Sequence, residues 1–146
     1  MLQDVVVEIE NRCLGTRTRL LERAIANIFA RHLKPTGLRD TQVTLLTAIG
    51  AHDGIRPSEL SSALLIEKST VSRTVDKMIE HGWVEALSVP DGRSYEARLT
   101  GSGRAKLVEV YPAWSAAQTE VEELLSNSQH DQLRSIARHV TRVVAS

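Results

Sequence analysis

Apolar side chains recur with the period of a helix near the middle of the chain. Their spacing of i, i+4, i+7 and i+8 predicts a helix over Glu67–His81 with one apolar face, formed by Val71, Val75, Met78 and Ile79. At ~100° per residue, the opposite side is polar and carries Ser69, Arg73 and Glu80, flanked by Thr70, Asp76 and Lys77. The stretch is therefore predicted to be an amphipathic helix at the protein surface, with cations on its polar side.

Five further helices are predicted from the same kind of pattern. In chain order they cover about Val5–Leu33, Thr41–Ala51, Pro57–Leu64, Gly101–Leu125 and Gln129–Val144. Asp40 and Thr100 are the expected N-caps of the second and fourth of these helices, and Pro112 is expected to kink or break the fourth. The first helix is too long for the nearby chain to cover, so we expect part of it to pack on a partner subunit.

Two alternating segments predict a β-hairpin after the central helix. Gly82 ends that helix, and Trp83–Val89 and Ser94–Leu99 alternate between apolar and polar side chains. The intervening sequence Pro-Asp-Gly-Arg at 90–93 is a strong turn signal, which places Arg93 at the tip. The predicted fold is mainly α with this small hairpin.

The order of elements around the central helix is that of a winged helix-turn-helix. Pro57–Leu64 is a short helix, residues 65–66 connect it to the central helix, and the hairpin follows as the wing. In such an arrangement the second helix enters the DNA major groove. Sequence-specific binding to double-stranded DNA is therefore the expected function.

The polar face of the central helix has residue types that suit contact with DNA. Arg73 is the best candidate for reading a base, because its guanidinium can bind guanine in bidentate fashion. The candidates for base edges or phosphates are Ser69, Thr70 and Ser72, and those for phosphate are Lys68 and Lys77. Two other interpretations stay open: a merely solvated helix face, and an ion pair in which Asp76 orients Arg73 or competes with DNA for it.

Composition narrows the class of protein without deciding it. The 146 residues carry 18 Lys+Arg against 18 Asp+Glu, so net charge argues neither for nor against a nucleic-acid partner. The single cysteine and the absence of a 20-residue apolar run or a signal-peptide pattern suit a cytoplasmic protein with no membrane partner. No motif of a nucleophile elbow, phosphate loop or metal-ligand pair is present, so we expect no enzyme, cofactor or metal.

The motifs of this region resemble those of the MarR family (multiple-antibiotic-resistance type) of bacterial transcription regulators. The matching residues are Ser69–Arg73, Met78–Val84, Asp91–Arg93, Leu99–Thr100 and Gly103. They couple a recognition helix, a helix stop, a D-x-R wing and a capped helix at the family's intervals. The long first helix and the two terminal helices also fit, so the resemblance covers nearly the whole chain.

The resemblance implies a homodimer that binds a pseudo-palindromic operator, mostly as a repressor that a small aromatic or phenolic ligand releases. It implies one MarR-type domain in three parts. Residues 1–36 would form an N-terminal dimerisation helix, residues 38–100 the DNA-binding lobe, and residues 101–146 the C-terminal dimerisation helices. The ligand would lie between the lobe and the dimerisation helices, but no ligand residue is assigned.

The resemblance also extends the expected DNA contacts to the wing. Arg93 would enter the minor groove, as arginine does at narrow A·T-rich sites, and Asp91 would support it by bonding the turn backbone or Arg93 itself. Arg98 on the second strand, and Arg56 and Ser58 at the start of the preceding helix, are further candidates for phosphate contacts.

Two alternatives to a ligand-released repressor are carried forward. Oxidant-sensing members of the family have a reactive cysteine in the region of Cys13, and Arg12 and Arg17 could lower the pKa of its thiol, although Glu10 opposes them. Winged helices also serve as pure protein-interaction modules, in which case neither Arg73 nor Arg93 would affect DNA binding.

Overall fold

A computed structural model describes residues 1–145 as seven α-helices and one antiparallel β-hairpin. In chain order the elements are α1 (Leu2–Arg12), α2 (Leu14–Leu33), a 3-10 turn (Lys34–Thr36), α3 (Asp40–Gly50), α4 (Pro57–Leu64), α5 (Lys68–Glu80), β1 (Val84–Ser88), β2 (Tyr95–Leu99), α6 (Gly101–Glu123) and α7 (Asn127–Ala145). The predicted class, mainly α with a small β-hairpin in a winged helix-turn-helix, is confirmed. No helix of residues 1–145 is long and apolar enough to cross a membrane.

The prediction of one uninterrupted helix over Val5–Leu33 is wrong. The backbone is extended at Cys13, with φ −70° and ψ 97°, and separates α1 from α2. The Cys13 sulfur accepts a hydrogen bond from the Thr16 N–H at 3.3 Å and so caps the start of α2. This side chain-to-backbone bond replaces a helical bond at the first turn, as N-caps do.

Two smaller expectations about helices have different outcomes. The N-cap of α3 is Arg39 rather than Asp40, and the side-chain oxygen of Gln42 accepts a bond of 2.9 Å from the Arg39 N–H. Pro112 does not break α6, which runs without interruption from Gly101 to Glu123. Pro112 is exposed, so the backbone carbonyl that loses its partner there can bond water.

One aliphatic core lies beneath α3, α4, α5 and the hairpin. Its fully buried members include Leu33, Leu45, Leu46, Ile49, Leu60, Val71, Val75 and Met78. α6 contributes Val110, Ala117 and Val121 to it, and α2 contributes Phe29 and Leu33. The core therefore fixes the short helices and the hairpin as one unit against α2 and α6.

The two ends of the chain lie outside this core. None of the residues of α1 or α7 is buried. The apolar side chains of α7 are exposed, with Ile136 60% and Val140 49% accessible.

Candidate nucleic-acid interface

The central helix α5 presents its polar face to solvent because its apolar stripe is buried. Val71, Val75 and Met78 are inaccessible to solvent, which confirms the predicted stripe. α5 follows α4 after a short turn in which Leu65 has the left-handed backbone conformation, with φ 53°. The tight turn and the buried stripe together fix the orientation of the outer face.

The predicted contact residues of α5 lie on this accessible surface. Exposed side chains are those of Lys68, Ser69, Ser72, Arg73 and Lys77, while that of Thr70 is half-buried. Within residues 1–145 Arg73 makes no ion pair. The alternative ion pair between Arg73 and Asp76 is therefore absent. Asp76 instead lies on the side of the wing, where its charge adds to burial in raising the pKa of Tyr95.

The wing is a regular hairpin with Arg93 at its exposed tip. Val84 pairs with Leu99 and Ser88 with Tyr95, and Ala97 also exchanges two backbone hydrogen bonds with Ile55. Gly92 has φ +66°, which allows the tight turn. The hairpin is thereby anchored on the lobe while its tip projects from it.

Asp91 organises the tip of the wing through the backbone. Its Oδ1 accepts a hydrogen bond of 3.0 Å from the Arg93 N–H, and its Oδ2 lies 3.6 Å from Nη1 of Arg56. The Arg93 guanidinium is left exposed and makes no ion pair within residues 1–145. Of the two supporting roles expected for Asp91, the structure has the bond to the turn backbone.

Arg98 is engaged with carboxylates rather than available to an anion. Its Nε and Nη2 lie 2.9 and 2.8 Å from Oε1 of Glu85, and its Nη1 lies 3.6 Å from Asp53. The two carboxylates raise the pKa of the Arg98 guanidinium, and the hydrogen bond to Glu85 is the largest cause. A phosphate contact by Arg98 would compete with both carboxylates.

Ser58 is exposed in the first turn of α4. Pro57 precedes it and has no N–H, and Glu59 accepts a 2.8 Å bond from the Arg56 N–H. The hydroxyl of Ser58 and its N–H are thus accessible at a helix N-terminus, where phosphate binds readily.

Beside the predicted contacts Thr70 and Lys77, the structure brings together polar residues that the sequence pattern did not single out, namely Arg39, Thr41, Thr74 and His81. A cleft of about 370 Å³ separates α5 from the start of α3 and is lined by Arg39, Thr41, Thr70, Thr74, Lys77 and His81. The signal available in the sequence was the spacing of Thr70, Thr74, Lys77 and His81, which places them in one row of the helix. Arg39 joins them only through the fold.

Comparisons with known proteins agree with this geometry. A model of the MarR family matches residues 36–94. The transcriptional repressor MprA of Escherichia coli K12 is 30% identical over 129 residues, which cover 86% of this chain and 70% of MprA. The chain belongs to the MarR family.

Solved structures of the MarR family have the same fold. That of MosR from M. tuberculosis in complex with DNA has a TM-score of 0.78 at 27% identity, covering 91% of this chain and 96% of MosR. That of CouR from Rhodococcus jostii RHA1 bound to p-coumaroyl-CoA has a TM-score of 0.78 at 18% identity, covering 90% and 93% of the two chains.

This MarR-family chain has an apolar cavity of about 230 Å³ between α3 and α6. Val43 and Thr47 line it from α3, and Leu107, Val110, Tyr111 and Trp114 line it from α6. The Tyr111 and Trp114 rings stack with their centroids 6.0 Å apart. No charged side chain lines this cavity.

The pKa of the Cys13 thiol is lowered, for a reason that differs from the one expected. Hydrogen bonds from Thr16, of which the hydroxyl bond measures 3.2 Å, lower the pKa of the thiol, and Arg19 is the cation that adds to the effect. Arg12 and Arg17 bond elsewhere, to Glu8 and to backbone carbonyls. Within residues 1–145 no group of three or more His, Cys, Asp or Glu side chains is placed to hold a metal ion.

Proposed function

We propose that this chain is a sequence-specific DNA-binding transcriptional repressor that binds a pseudo-palindromic operator as a homodimer. The observation that carries the proposal is the pairing of an exposed, unpaired Arg73 on the outer face of α5 with an exposed Arg93 at the tip of the adjoining wing. An outward guanidinium on a recognition helix suits guanine in the major groove. A second one on a projecting loop suits the minor groove.

DNA binding and dimerisation would be divided among the three parts of the chain. Residues 38–100 would bind DNA, and residues 1–36 and 101–146 would join two copies. The support for dimerisation is the exposed apolar surface of α1 and α7, to which Ile9, Ile136 and Val140 contribute. The contact residues would be those on the accessible surface of the lobe, namely Ser58, Lys68, Ser69, Thr70, Ser72, Arg73, Lys77 and Arg93, with Asp91 as support for the wing. Because its partner is genomic DNA, the protein would act in the cytoplasm.

The test begins with duplex selection by the full-length protein from a random library, which supplies the operator. Arg73→Ala is expected to cost about 1–3 kcal/mol of operator binding and to relax the preference for one base pair per half-site. Arg93→Ala is expected to weaken binding to sites with A·T-rich flanks. Lys34→Ala is the control: it removes an exposed cation of the 3-10 turn, which belongs neither to the proposed DNA contacts nor to the exposed apolar surface of α1 and α7. Failure to enrich any duplex, or unchanged affinity in the Arg73/Arg93 double variant, would favour a protein-interaction module.

We further propose that a small ligand releases the repressor by binding in the cavity between α3 and α6. Apolar cavities of about 150 Å³ accept benzene, so about 230 Å³ suits a molecule with one aromatic ring. The aromatic lining favours stacking with such a ring. Since no cation lines the cavity, the ligand would enter with its ring, and any carboxylate would stay at the solvent side.

The ligand proposal can be tested with phenols and phenolic acids of one ring. Their addition is expected to release operator DNA from the parent protein and to quench tryptophan fluorescence through Trp114. Thr47→Trp, at an exposed position of the lining, is expected to fill the cavity, leave operator affinity unchanged and abolish both responses. Equal release from the variant would place the ligand elsewhere.

A further inference from the structure

The cleft between α3 and α5 is a second basic surface beside the face that carries Arg73. Arg39 lines it as the N-cap of α3, Lys77 lines it from α5, and His81 lines it as the C-cap of α5. Arg39 and Lys77 are exposed and form no ion pair within residues 1–145. His81 stacks on Trp83 with ring centroids 4.4 Å apart. The two cations of the cleft are thus available to an anion.

The cleft occupies a defined flank of the recognition helix. At ~100° per residue, Thr70, Thr74, Lys77 and His81 form a row about a quarter turn from the buried stripe. Asp76 falls on the opposite flank, where its charge acts on Tyr95 of the wing. The row therefore runs along the side of α5 that faces away from the wing.

Charge is distributed unequally between the two flanks. The carboxylates of α5, Asp76 and Glu80, both lie outside the row of the cleft. On the wing side, Arg98 is neutralised by Glu85 and Asp53. The flank away from the wing therefore carries Arg39 and Lys77 without an ion-pair partner, and it carries neither carboxylate of α5.

The dimensions of DNA decide what such a flank meets. A helix with its side chains is about 10–12 Å wide, and the major groove is about 12 Å wide. When a helix lies in the groove, the sugar-phosphate backbones therefore run along both of its flanks. Cations on a flank meet phosphates, whereas those on the outer face meet bases.

We propose that the cleft between α3 and α5 binds the operator's phosphate backbone on the flank of α5 away from the wing, with Arg39 and Lys77 as its cations. The proposal rests on the proposed function and adds Arg39, on a different helix, to the interface. Arg39 would position the recognition helix in the groove without reading sequence, since a phosphate contact carries no base information. A free phosphate ion offers the same chemistry and is the other source of an anion for the cleft.

The experiment compares Arg39→Gln with Lys34→Gln in the full-length protein. Lys34 is an exposed cation five positions earlier that does not line the cleft, so both variants lose one charge from nearby positions. Affinity for the selected operator and for a scrambled duplex is measured over a range of salt concentrations. Each phosphate contact contributes about 0.9 to the slope of log K against log salt.

Arg39→Gln is expected to flatten that slope by about 1.8 per dimer, for one lost contact in each subunit. It should weaken operator and scrambled duplex by similar factors, whereas Lys34→Gln leaves both unchanged. Equal slopes for Arg39→Gln and Lys34→Gln would overturn the proposal, whether both match the parent or both fall. If Arg73→Ala still relaxes specificity in that case, the proposed function survives and only the role of the cleft fails.

A final measurement distinguishes the DNA backbone from a free phosphate ion as the occupant of the cleft. Inorganic phosphate is added to the free parent and variants, and the unfolding temperature is recorded. The proposal would be overturned if phosphate raises the unfolding temperature of the parent but not of Arg39→Gln, while Arg39→Gln binds DNA as the parent does. The cleft would then be a site for a free anion. Loss of the salt-dependent DNA contact in Arg39→Gln supports it.

Discussion

Gly103 is a residue whose lack of a side chain holds two elements together. A Cβ at this position would lie 2.0 Å from the carbonyl oxygen of Trp83. The backbone N–H of Thr100 donates a hydrogen bond of 3.0 Å to the same Trp83 carbonyl. The side-chain hydroxyl of Thr100 donates one of 2.6 Å to the carbonyl of Gly82. The Thr100 hydroxyl oxygen also accepts from the Gly103 N–H at 3.0 Å, which confirms the predicted N-cap. These contacts join the end of α5 to the start of α6.

Gly103→Ala is expected to lower the free energy of unfolding by about 1–3 kcal/mol or more, because backbone atoms must separate to admit the methyl group. Urea denaturation measures the change. Gly101→Ala is the matched control, since a Cβ there meets nothing within 4 Å. In the first turn of the same helix it is expected to be neutral or stabilising by up to about 1 kcal/mol. Similar losses in both variants would contradict the role given to the contact with Trp83.

At the scale of elements, an ion cluster fastens α2 to α6. Nη2 of Arg31 lies 2.5 Å from Oε1 of Glu120. Nε2 of His32 lies 2.5 Å from Oε2 of the same carboxylate. The bond from Arg31, followed by that from His32, lowers the pKa of Glu120. The cluster links the first long helix to the helix that lines the apolar cavity.

Glu120→Gln is expected to lower the urea midpoint at neutral pH and to have little effect in acid. A carboxyl whose pKa is lower in the folded protein stabilises it fully above the ordinary glutamate pKa, and the contribution disappears as pH falls through the lowered pKa. Glu123→Gln changes an exposed carboxylate of the same helix and should show no such pH dependence. A difference between parent and Glu120→Gln that persists at low pH would mean that the ion cluster is not its cause.

At the scale of the whole molecule, the exposed stripe of α7 is the feature that a single chain leaves unexplained. Its apolar side chains include Ile136 and Val140, while Arg134, Arg138 and Arg142 lie on the other side of the helix. A second copy that covers this stripe would place two recognition helices on one operator. The weakly basic lobe would then gain affinity from being used twice.

Ile136→Asp is expected to convert the dimer to a monomer in sedimentation and to weaken operator binding by about a hundredfold or more, as avidity is lost. Ser135→Asp introduces the same charge on the opposite side of α7 and should leave both properties unchanged. A dimer that persists in Ile136→Asp would show that this stripe is not the interface.

The sequence was sufficient for the elements that repeat a local pattern. The bounds of Pro57–Leu64 match those of α4, and α5 lies within one residue of each predicted end. The break at Cys13 was missed because a cysteine that caps a helix through its sulfur gives no signal in hydrophobic periodicity. That Pro112 leaves α6 uninterrupted was not evident from the sequence either, because the effect of a proline depends on which side of the helix faces solvent.

The sequence by itself determined the amphipathic helix, the turn before it and the wing after it, because periodicity and turn chemistry act over a few residues. It thereby determined where Arg73 and Arg93 would point. Only the tertiary structure decided which cations remain available. Packing of the hairpin sets Arg98 against Glu85 and Asp53, whereas Arg73 is left without the partner that Asp76 could have been. Packing of α3 on α5 brings Arg39 beside Lys77, since contacts between distant segments depend on the core that joins them.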